Sequence, residues 1–518
     1  MKPNVPDEIK SIAEALEKAG YQAYLVGGCV RDLLLNREPK DWDVATNAKP
    51  EDVLGIFPDS VYENQFGTVG VKIPTPKGVG TPTSAYWQSV GAESPEYIIV
   101  EITTLRKEGK YTDKRHPDNI KFTDKIEDDL SRRDFTINAM ALMLTNNKKQ
   151  TTSNSHKSSV MGYELVDPFG GEKDIDKNLI KTVGIPDERF GEDALRLMRA
   201  VRFATELGFQ IDLNTRRAIE KNAGLLEMIA KERIRDELIK IIMSDRAAQG
   251  IILLEELNLL QYVIPELREG LGCGQNKHHI YSVFEHNIRA LDYAASRKYD
   301  LLVRLASLLH DVGKPKTKKG DGPDSTFYNH EVVGAKITAQ IMDRLRFPRD
   351  FSEKVIHLVR QHLFYYNVDE VTEAGVRRFL ARVGMENVPD LIKVREADRI
   401  GSGVPKAVPY KLRHLLFMID KVKSDPISPK KLKIHGEDVM RIAKLDPSPK
   451  VGYILSILLE DVLDDPAKNT SDYLEKRVLE LKNFSEKELR ELSEKAKEKK
   501  EEYEQGIERE IKQKHRVK

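Results

Sequence analysis

Residues 25–43 read LVGGCVRDLLLNREPKDWD. An apolar run meets Gly27-Gly28, an Arg31-Asp32 pair follows, and the stretch closes on two aspartates separated by Trp42. If KDWDVAT is a strand, residues i and i+2 share a face, so Asp41 and Asp43 point the same way while Trp42 enters the opposite layer. Two carboxylates held side by side repel each other at neutral pH unless a cation lies between them. An oxygen-only donor pair favours Mg²⁺, which commonly joins protein carboxylates to phosphate oxygens. Gly27 and Gly28 fit the same chemistry, because residues without Cβ let a phosphate approach backbone N–H groups. Arg31 adds a planar fork suited to phosphate oxygens. Asp41 and Asp43 are the candidate catalytic and metal-binding pair, with Gly28 and Arg31 as candidate phosphate contacts.

The 518-residue chain is too long for one core and implies several domains. Its 84 Lys and Arg against 83 Asp and Glu leave almost no net charge, so any basic binding surface has to be local. Cys29 and Cys273 are far apart in sequence, which fits a reducing compartment without a disulfide framework. MKPNVPDEIKSIAEAL reads as an amphipathic helix opened by Pro6-Asp7 and stopped by Gly20, not as an apolar signal segment. No run of 18 apolar residues occurs, so a soluble, cytoplasmic protein with no membrane partner is expected.

From 21 to 145 short β-rich runs dominate: YQAYLVGG, DWDVAT, FGTVGVKI, EYIIVEITT and FTINAMALML. Residues 74–96, rich in Pro, Gly, Ser and Thr, read as an insertion between two strands, and 145–159 as a polar loop before the strand YELVDPF. From about residue 170 helical periodicity takes over. The expected class is α+β, with a small mixed α/β head followed by an extended all-α body. The segment from Ser485 opens with a capping box, Ser485 and Glu488, and continues as a densely charged helix.

Further chemistry lies in SRRDFTINAMAL, residues 131–142, where Arg133, Asp134 and Asn138 supply donors and acceptors for a sugar hydroxyl and a triphosphate. RFGEDALRLMRAVRFATELGF, residues 189–209, is more telling. Read as one helix, it puts Leu195, Met198 and Val201 in a core-facing row and Arg196, Arg199 and Arg202 in a parallel row, an anion track. Asp193 and Arg196 are neighbours three apart on one face. Such a pair can read a base, Asp accepting from an exocyclic amine and Arg donating to an acceptor nitrogen or carbonyl. Cytosine and adenine present that pattern; uracil and guanine do not.

Seven of the twelve histidines lie between 278 and 362. His286, His310-Asp311 in LLHDVGKP, His330, His362 and Asp398 form a series of ligand-type residues at helix ends after apolar runs, a pattern that points to a metal site.

LVGGCVRD…DWD, RRDFTINAMA, DPFGGEKDIDKNLIKTVG and EDALRLMRAVRFA resemble, in that order, the successive motifs of the bacterial-type (class II) tRNA nucleotidyltransferase and poly(A) polymerase family, over residues 20 to about 270. The resemblance implies that Asp41 and Asp43 carry Mg²⁺ and that Gly28, Arg31 and Arg133 hold the nucleotide. It implies that Asp193 and Arg196 template the incoming base with support from Glu192, and that Arg199 and Arg202 contact phosphates. LLHDVGKP and its outlying residues resemble the HD phosphohydrolase superfamily over roughly 280–400. By that similarity His286, His310, Asp311 and Asp398 bind one divalent transition metal (Ni, Mn, Co or Fe), and His330 and His362 complete a second site. Similar domains in tRNA nucleotidyltransferases are associated with phosphatase and 2′,3′-cyclic phosphodiesterase activity.

The implied organisation is a nucleotidyltransferase head over 1–165, a helical neck over 166–270, an HD domain over 271–400, a helical tRNA-binding tail over 401–482 and a charged helix over 483–518. The implied partners are tRNA, CTP and ATP. Poly(A) polymerases of the group carry a basic-aromatic strand after the aspartate pair, whereas FGTVGVKI is apolar and small, which favours the tRNA enzymes. TTLRKEGKYTDKRHPDNIKF, residues 103–122, looks like the flexible segment that A addition needs. The expected activity is addition of CCA to the tRNA 3′ end from CTP and ATP without a nucleic-acid template, with A-only addition or a poly(A) polymerase as the alternative.

Overall fold

The computed structural model describes residues 5–64, 67–74, 97–109, 119–143, 157–160, 163–275, 280–364, 366–368, 371–404, 406–423 and 428–494. The chain divides between Ile356 and His357 into two compact units. It is α+β, a mixed sheet at the N-terminal end followed by a largely helical body.

The first unit opens with the helix Asp7–Lys18, which buries Ile9, Ile12, Ala13 and Leu16 along one stripe and stops before Gly20, as its sequence predicts. Among the described residues the head then has β1 Ala23–Val26, β2 Asp43–Thr46, β3 Ser60–Asn64, β4 Thr68–Pro74, β5 Tyr97–Thr104, β6 Arg106–Glu108, β7 Ile120–Phe122, β8 Ala141–Met143, β9 Lys157–Val160 and β10 Tyr163–Val166, and a short parallel pair, Leu179–Ile180 with Gln210–Ile211, follows. Eight form one sheet in the order β3-β4-β5-β2-β1-β8-β10-β9, and β6 pairs with β7 as a separate hairpin. Neighbours in the large sheet run antiparallel except β2 and β5, which are parallel with Asp43 opposite Glu101. Tyr24, Val26, Ala45, Ala141 and Val166 share one apolar layer with Leu105 and with Ile126 and Leu130 of the helix Ile126–Ser131.

Three expectations change. FTINAMALML is a strand only over Ala141–Met143, because Thr136–Asn138 turns as a 3₁₀ segment after Asp134 Oδ1 accepts the Phe135 N–H at 2.8 Å. The polar loop expected to end at 159 gives way to β9, which pairs with β10 at the sheet edge. The helix expected over 189–209 is two helices, Pro186–Glu192 and Leu195–Leu207. Asp193 between them is extended, and its Oδ1 accepts the Leu195 N–H at 3.0 Å, which starts the second helix afresh. The insertion lies, apart from Pro74, outside the described residues, as do 110–118 of the segment at 103–122 and 145–156 of the polar loop.

Beyond the head, the helices Leu195–Leu207, Lys231–Met243 and Ala247–Glu256 cross at Gly250. A Cβ there would lie 2.4 Å from Ile241 Cγ2 and 2.9 Å from Thr205 Oγ1, so only glycine permits this spacing. Buried Arg304 binds the carbonyls of Ile242 and Ser244 at 2.8 Å each, joining the helix Leu301–Leu309 to the end of Lys231–Met243.

The second unit is helical among its described residues, with a core that includes Val439, Ile454, Leu458, Val462, Leu474, Val478 and Leu489. Arg377 ties the helix Glu373–Val383 to the end of Pro449–Asp464 by donating to Leu463 O at 2.9 Å. The capping box is present, with Ser485 N–H donating to Glu488 and Glu488 N–H donating to Ser485 Oγ. No helix among the described residues is long and apolar enough to cross a membrane.

Candidate functional site

β1 ends at Val26, and the chain turns through Gly27 into the helix Gly28–Leu34. Gly27 has φ +77°, and a Cβ there would lie 2.9 Å from Arg133 Nη1 and 3.3 Å from Asp43 Oδ2. The backbone at this positive φ is what favours glycine, and the two side chains close in on the space it leaves. Gly28 is roomier, with Arg31 Nη2 at 3.6 Å from its virtual Cβ.

Asp43 is the first residue of β2, and Asp41 lies before the strand, exposed on a bend. Trp42 is buried and its carbonyl accepts Glu101 N–H at 3.3 Å, so extended pairing reaches one residue beyond the strand. Burial raises the Asp43 carboxyl above its ordinary value, Arg133 opposes the rise and the charge of Asp41 adds to it. Arg133 is anchored by Asp129 Oδ2 at 3.2 Å, and its Nε is buried with no hydrogen-bond partner among the described residues. A carboxylate raised by burial and by a second carboxylate, beside an unsatisfied guanidinium N–H, is an arrangement that a hard cation and a phosphate would complete.

Behind this cradle runs a buried polar chain. Arg31 donates from Nε to Asp32 Oδ1 and from Nη1 to Asn138 Oδ1, both at 2.9 Å. Asn138 Nδ2 donates to Asp134 Oδ1 at 3.3 Å, and Arg199 Nε donates to Asp134 Oδ2 at 2.6 Å. Burial alone would raise the Asp134 carboxyl. Arg199 and Arg196 beside it, with donation from Arg199 and the Phe135 N–H, instead bring it down to about 2. Arg31, Arg199 and Arg202 all lie over the ring of Phe203, at 5.4, 5.2 and 4.2 Å from its centroid.

The arginine row of the helix Leu195–Leu207 is thus not an open track. Arg196 donates to Glu192 Oε2 at 2.6 Å and to the carbonyls of Arg189 and Arg132, Arg199 to Asp134, and Arg202 to Glu237 Oε1 at 3.0 Å. Asp193 and Arg196 are engaged separately, for Asp193 Oδ2 accepts Arg233 Nη2 at 2.9 Å. Glu192 precedes Arg196 by four residues, whereas Asp134 lies after the helix Ile126–Ser131 and Glu237 on the helix Lys231–Met243, where row geometry gives no sign of them.

A second cluster gathers His286, His310 and Asp311. The two Nε2 atoms lie 2.9 Å apart, and both approach Asp311 Oδ2, at 3.1 and 3.3 Å. His330 Nε2 reaches Asp311 Oδ1 at 3.4 Å. Burial acts to raise the Asp311 carboxyl, yet Lys314, His310 and the hydrogen bonds of His286 and His310 hold it well below the usual range. His310 and His330 each place Nδ1 at a carbonyl three residues earlier, Ser307 O at 2.8 Å and Phe327 O at 2.7 Å, which leaves Nε2 for a ligand. One ligand atom each from His286, His310 and Asp311 falls within 4.8 Å of the others, a donor set that fits a transition metal. His362 and Asp398 belong to the second unit, where His362 Nδ1 meets Val359 O at 2.7 Å and Asp398 Oδ2 accepts Arg395 Nη1 at 2.5 Å.

Three family models match the chain: the Poly A polymerase head domain over residues 23–181, the probable RNA and SrmB-binding site of polymerase A over 208–271, and the HD domain over 283–402. The A-adding tRNA nucleotidyltransferase of Deinococcus radiodurans is 34% identical over 452 residues, covering 85% of this chain and 91% of that one. The chain belongs to the tRNA nucleotidyltransferase and poly(A) polymerase family. The CCA-adding enzyme of Geobacillus thermodenitrificans is 41% identical over 270 residues, 52% of this nucleotidyltransferase and 57% of the relative, so that match spans little more than half the relative's length. The crystal structure of Bacillus stearothermophilus CCA-adding enzyme in complex with CTP aligns with a TM-score of 0.64 at 27% identity, covering 92% of this chain and 96% of that one.

Sequence reasoning passed over several residues of this nucleotidyltransferase. Glu101 stands opposite Asp43 through the parallel β2–β5 register, which no local pattern announces. Arg233 and Glu237 engage Asp193 and Arg202 from the helix Lys231–Met243, where they read as an ordinary charged face. Lys314, bonded to Asp311 Oδ2 at 2.6 Å and Gln275 Oε1 at 2.7 Å, was visible as the lysine of LLHDVGKP, three residues after Asp311.

Because its folded carboxyl is depressed, Asp134 contributes stability that is fully present above the unfolded value of about 3.9 and is lost as pH falls through about 2. Asp134→Asn should cost about 3–5 kcal/mol at pH 7, since it strands buried cations. In urea unfolding of both proteins from pH 7 downward, the gap should be constant to about pH 4 and narrow below it. A gap that stays constant to pH 3 or lower, or is absent at pH 7, would contradict the assignment.

Proposed function

We propose that this tRNA nucleotidyltransferase adds CCA to the 3′ end of tRNA from CTP and ATP without a nucleic-acid template. The observation that carries the reading is the glycine cradle, in which Gly27 at φ +77° brings Asp43 Oδ2 and Arg133 Nη1 to within 3.3 and 2.9 Å of its virtual Cβ. Asp41 and Asp43 would hold Mg²⁺. Ions bound there would supply two-metal catalysis of in-line transfer, favouring the attacking RNA 3′-hydroxyl and the departing pyrophosphate.

The chain's own residues do the rest. Gly27 and Gly28 let the triphosphate approach the backbone, and the Arg133 guanidinium, whose Nη1 lies against Gly27, meets it with positive charge. Arg31, Asp134 and Asn138 fix the sugar side of the pocket through their mutual bonds. Asp193 and Arg196 read the Watson–Crick edge of the base, with Glu192 orienting Arg196, and Arg199 and Arg202 would meet the phosphates only by giving up Asp134 and Glu237, which hold them here. In the HD domain His286, His310 and Asp311 would hold a divalent transition metal with His330 beside them, a site suited to hydrolysing phosphate esters at damaged 3′ ends.

A-only addition is the second reading, favoured by the A-adding relative matched over 91% of its length. Transcripts of tRNA ending at the discriminator base, at C and at CC, incubated with CTP and ATP, separate the two. Extension of all three to CCA is expected. Extension of the CC-ended transcript alone would establish the A-adding reading, and open-ended A tails would indicate a poly(A) polymerase. Asp43→Ala should abolish every extension while leaving the thermal transition in place, and retained extension would remove the proposed centre.

Loss of the base-reading carboxylate should blur selection. Asp193→Ala is expected to raise UMP and GMP misincorporation by about tenfold or more, the equivalent of one missed pairing of about 1–3 kcal/mol, with smaller change in triphosphate affinity. Unchanged misincorporation in single-turnover assays would refute the templating role.

His310→Ala should eliminate phosphatase and 2′,3′-cyclic phosphodiesterase activity and spare nucleotide addition. Equal loss of both activities would mean that the two centres are not independent.

A further inference from the structure

In the second unit the helix Tyr410–Val422 packs Leu412, Leu415, Ile419 and Val422 inward, a regular apolar stripe. Its opposite face carries Tyr410, Arg413, His414, Phe417 and Lys421, spaced i, i+3, i+4, i+7 and i+11. Tyr410 is 63% exposed and Phe417 61% exposed. A solvated helix face is ordinarily filled by long polar residues, so two large rings in one row mark a surface that meets something.

The rings are continuous. Tyr410 and Phe417 each lie 6.0 Å from His414, centroid to centroid, and Tyr366 lies 5.8 Å from it on the other side. The Tyr366 hydroxyl is hydrogen-bonded to His414 Nδ1, which anchors the middle ring. Charge surrounds the row: residues 406–423 contain five Lys and Arg against the single acid Asp420. Lys411 and Arg413 are exposed and form no ion pair among the described residues, whereas Lys421 is paired with Glu373.

We propose that this face is a stacking platform for unpaired bases of the RNA substrate, with Lys411 and Arg413 meeting the adjoining phosphates. Rings interleaved with uncompensated cations match single-stranded RNA, whose bases offer π-faces and whose backbone is anionic. A protein partner of apolar character would instead be met by aliphatic residues, and here those face inward. The inference rests on the reading of the chain as an enzyme acting on tRNA. It adds that loop bases, and not only backbone and helix shape, are held, and that the grip lies away from the nucleotidyl-transfer residues in sequence.

The test uses the full chain and the double variant Tyr410→Ala/Phe417→Ala. Anisotropy titrations with intact tRNA should show affinity reduced by about five- to hundredfold, the range for losing one stacked base. Binding of a blunt duplex of the acceptor-stem sequence, which has no unpaired bases, should be unchanged, as should binding of CTP. Phe417→Trp, which keeps a π-face, should retain the affinity of the unaltered protein. Unchanged tRNA affinity in the double variant would overturn the proposal, as would equal loss for the duplex. A shift in oligomeric state with tRNA affinity intact would also overturn it, assigning the face to a second copy. If the unaltered protein adds no nucleotide to tRNA, the enzymatic reading fails instead, and the binding comparison still decides whether the platform exists.

Discussion

A buried carboxylate that would be untenable alone organises the catalytic end of this molecule. Asp134 lies in the core with one oxygen serving the Phe135 N–H and Asn138, the other serving Arg199. Desolvation works against its charge, and the arginines win, so it stays ionised well below the ordinary range. Through it, the turn after the helix Ile126–Ser131 is bonded to the helix Leu195–Leu207, and through Asn138 the bond extends to Arg31 beside the glycine turn. The distances among Gly27, Asp43 and Arg133 are sustained by neighbours that this network fixes in turn.

The two clusters of ligand-type residues use opposite electrostatic strategies. In the head, burial pushes the Asp43 carboxyl up against the pull of Arg133, with the charge of Asp41 adding to the rise. Around Asp311 the carboxylate is instead surrounded by Lys314 and imidazoles and is held down. Oxygen-rich and unsatisfied against nitrogen-rich and compensated, the sites suit different classes of metal.

Much of this was legible in the sequence where the information is local. The helix Asp7–Lys18, the strand that ends before Gly27-Gly28, the strand from Asp43, the burial of Trp42 and the capping box at Ser485 follow from patterns within a few residues. What the sequence hid depends on partners brought from elsewhere. The break at Asp193 arises because its side chain competes for the Leu195 N–H, while apolar periodicity runs on across it. The arginines looked like an open row because Asp134 and Glu237, which satisfy Arg199 and Arg202, lie far from them in sequence. Thr136–Asn138 reads as part of a strand by composition and is bent by the polar side chains that the network needs.

The order in which the ribosome delivers these pieces matters. β1 is flanked in the sheet by β2 and by β8, and the residues of β8 are made more than a hundred positions after those of β1. Arg199 arrives later still. A nascent chain that had emerged only as far as β10 would own every strand of the large sheet and lack the guanidinium that makes Asp134 tolerable inside it. The head can therefore settle fully only once the helix Leu195–Leu207 has been made and brings Arg199 to Asp134.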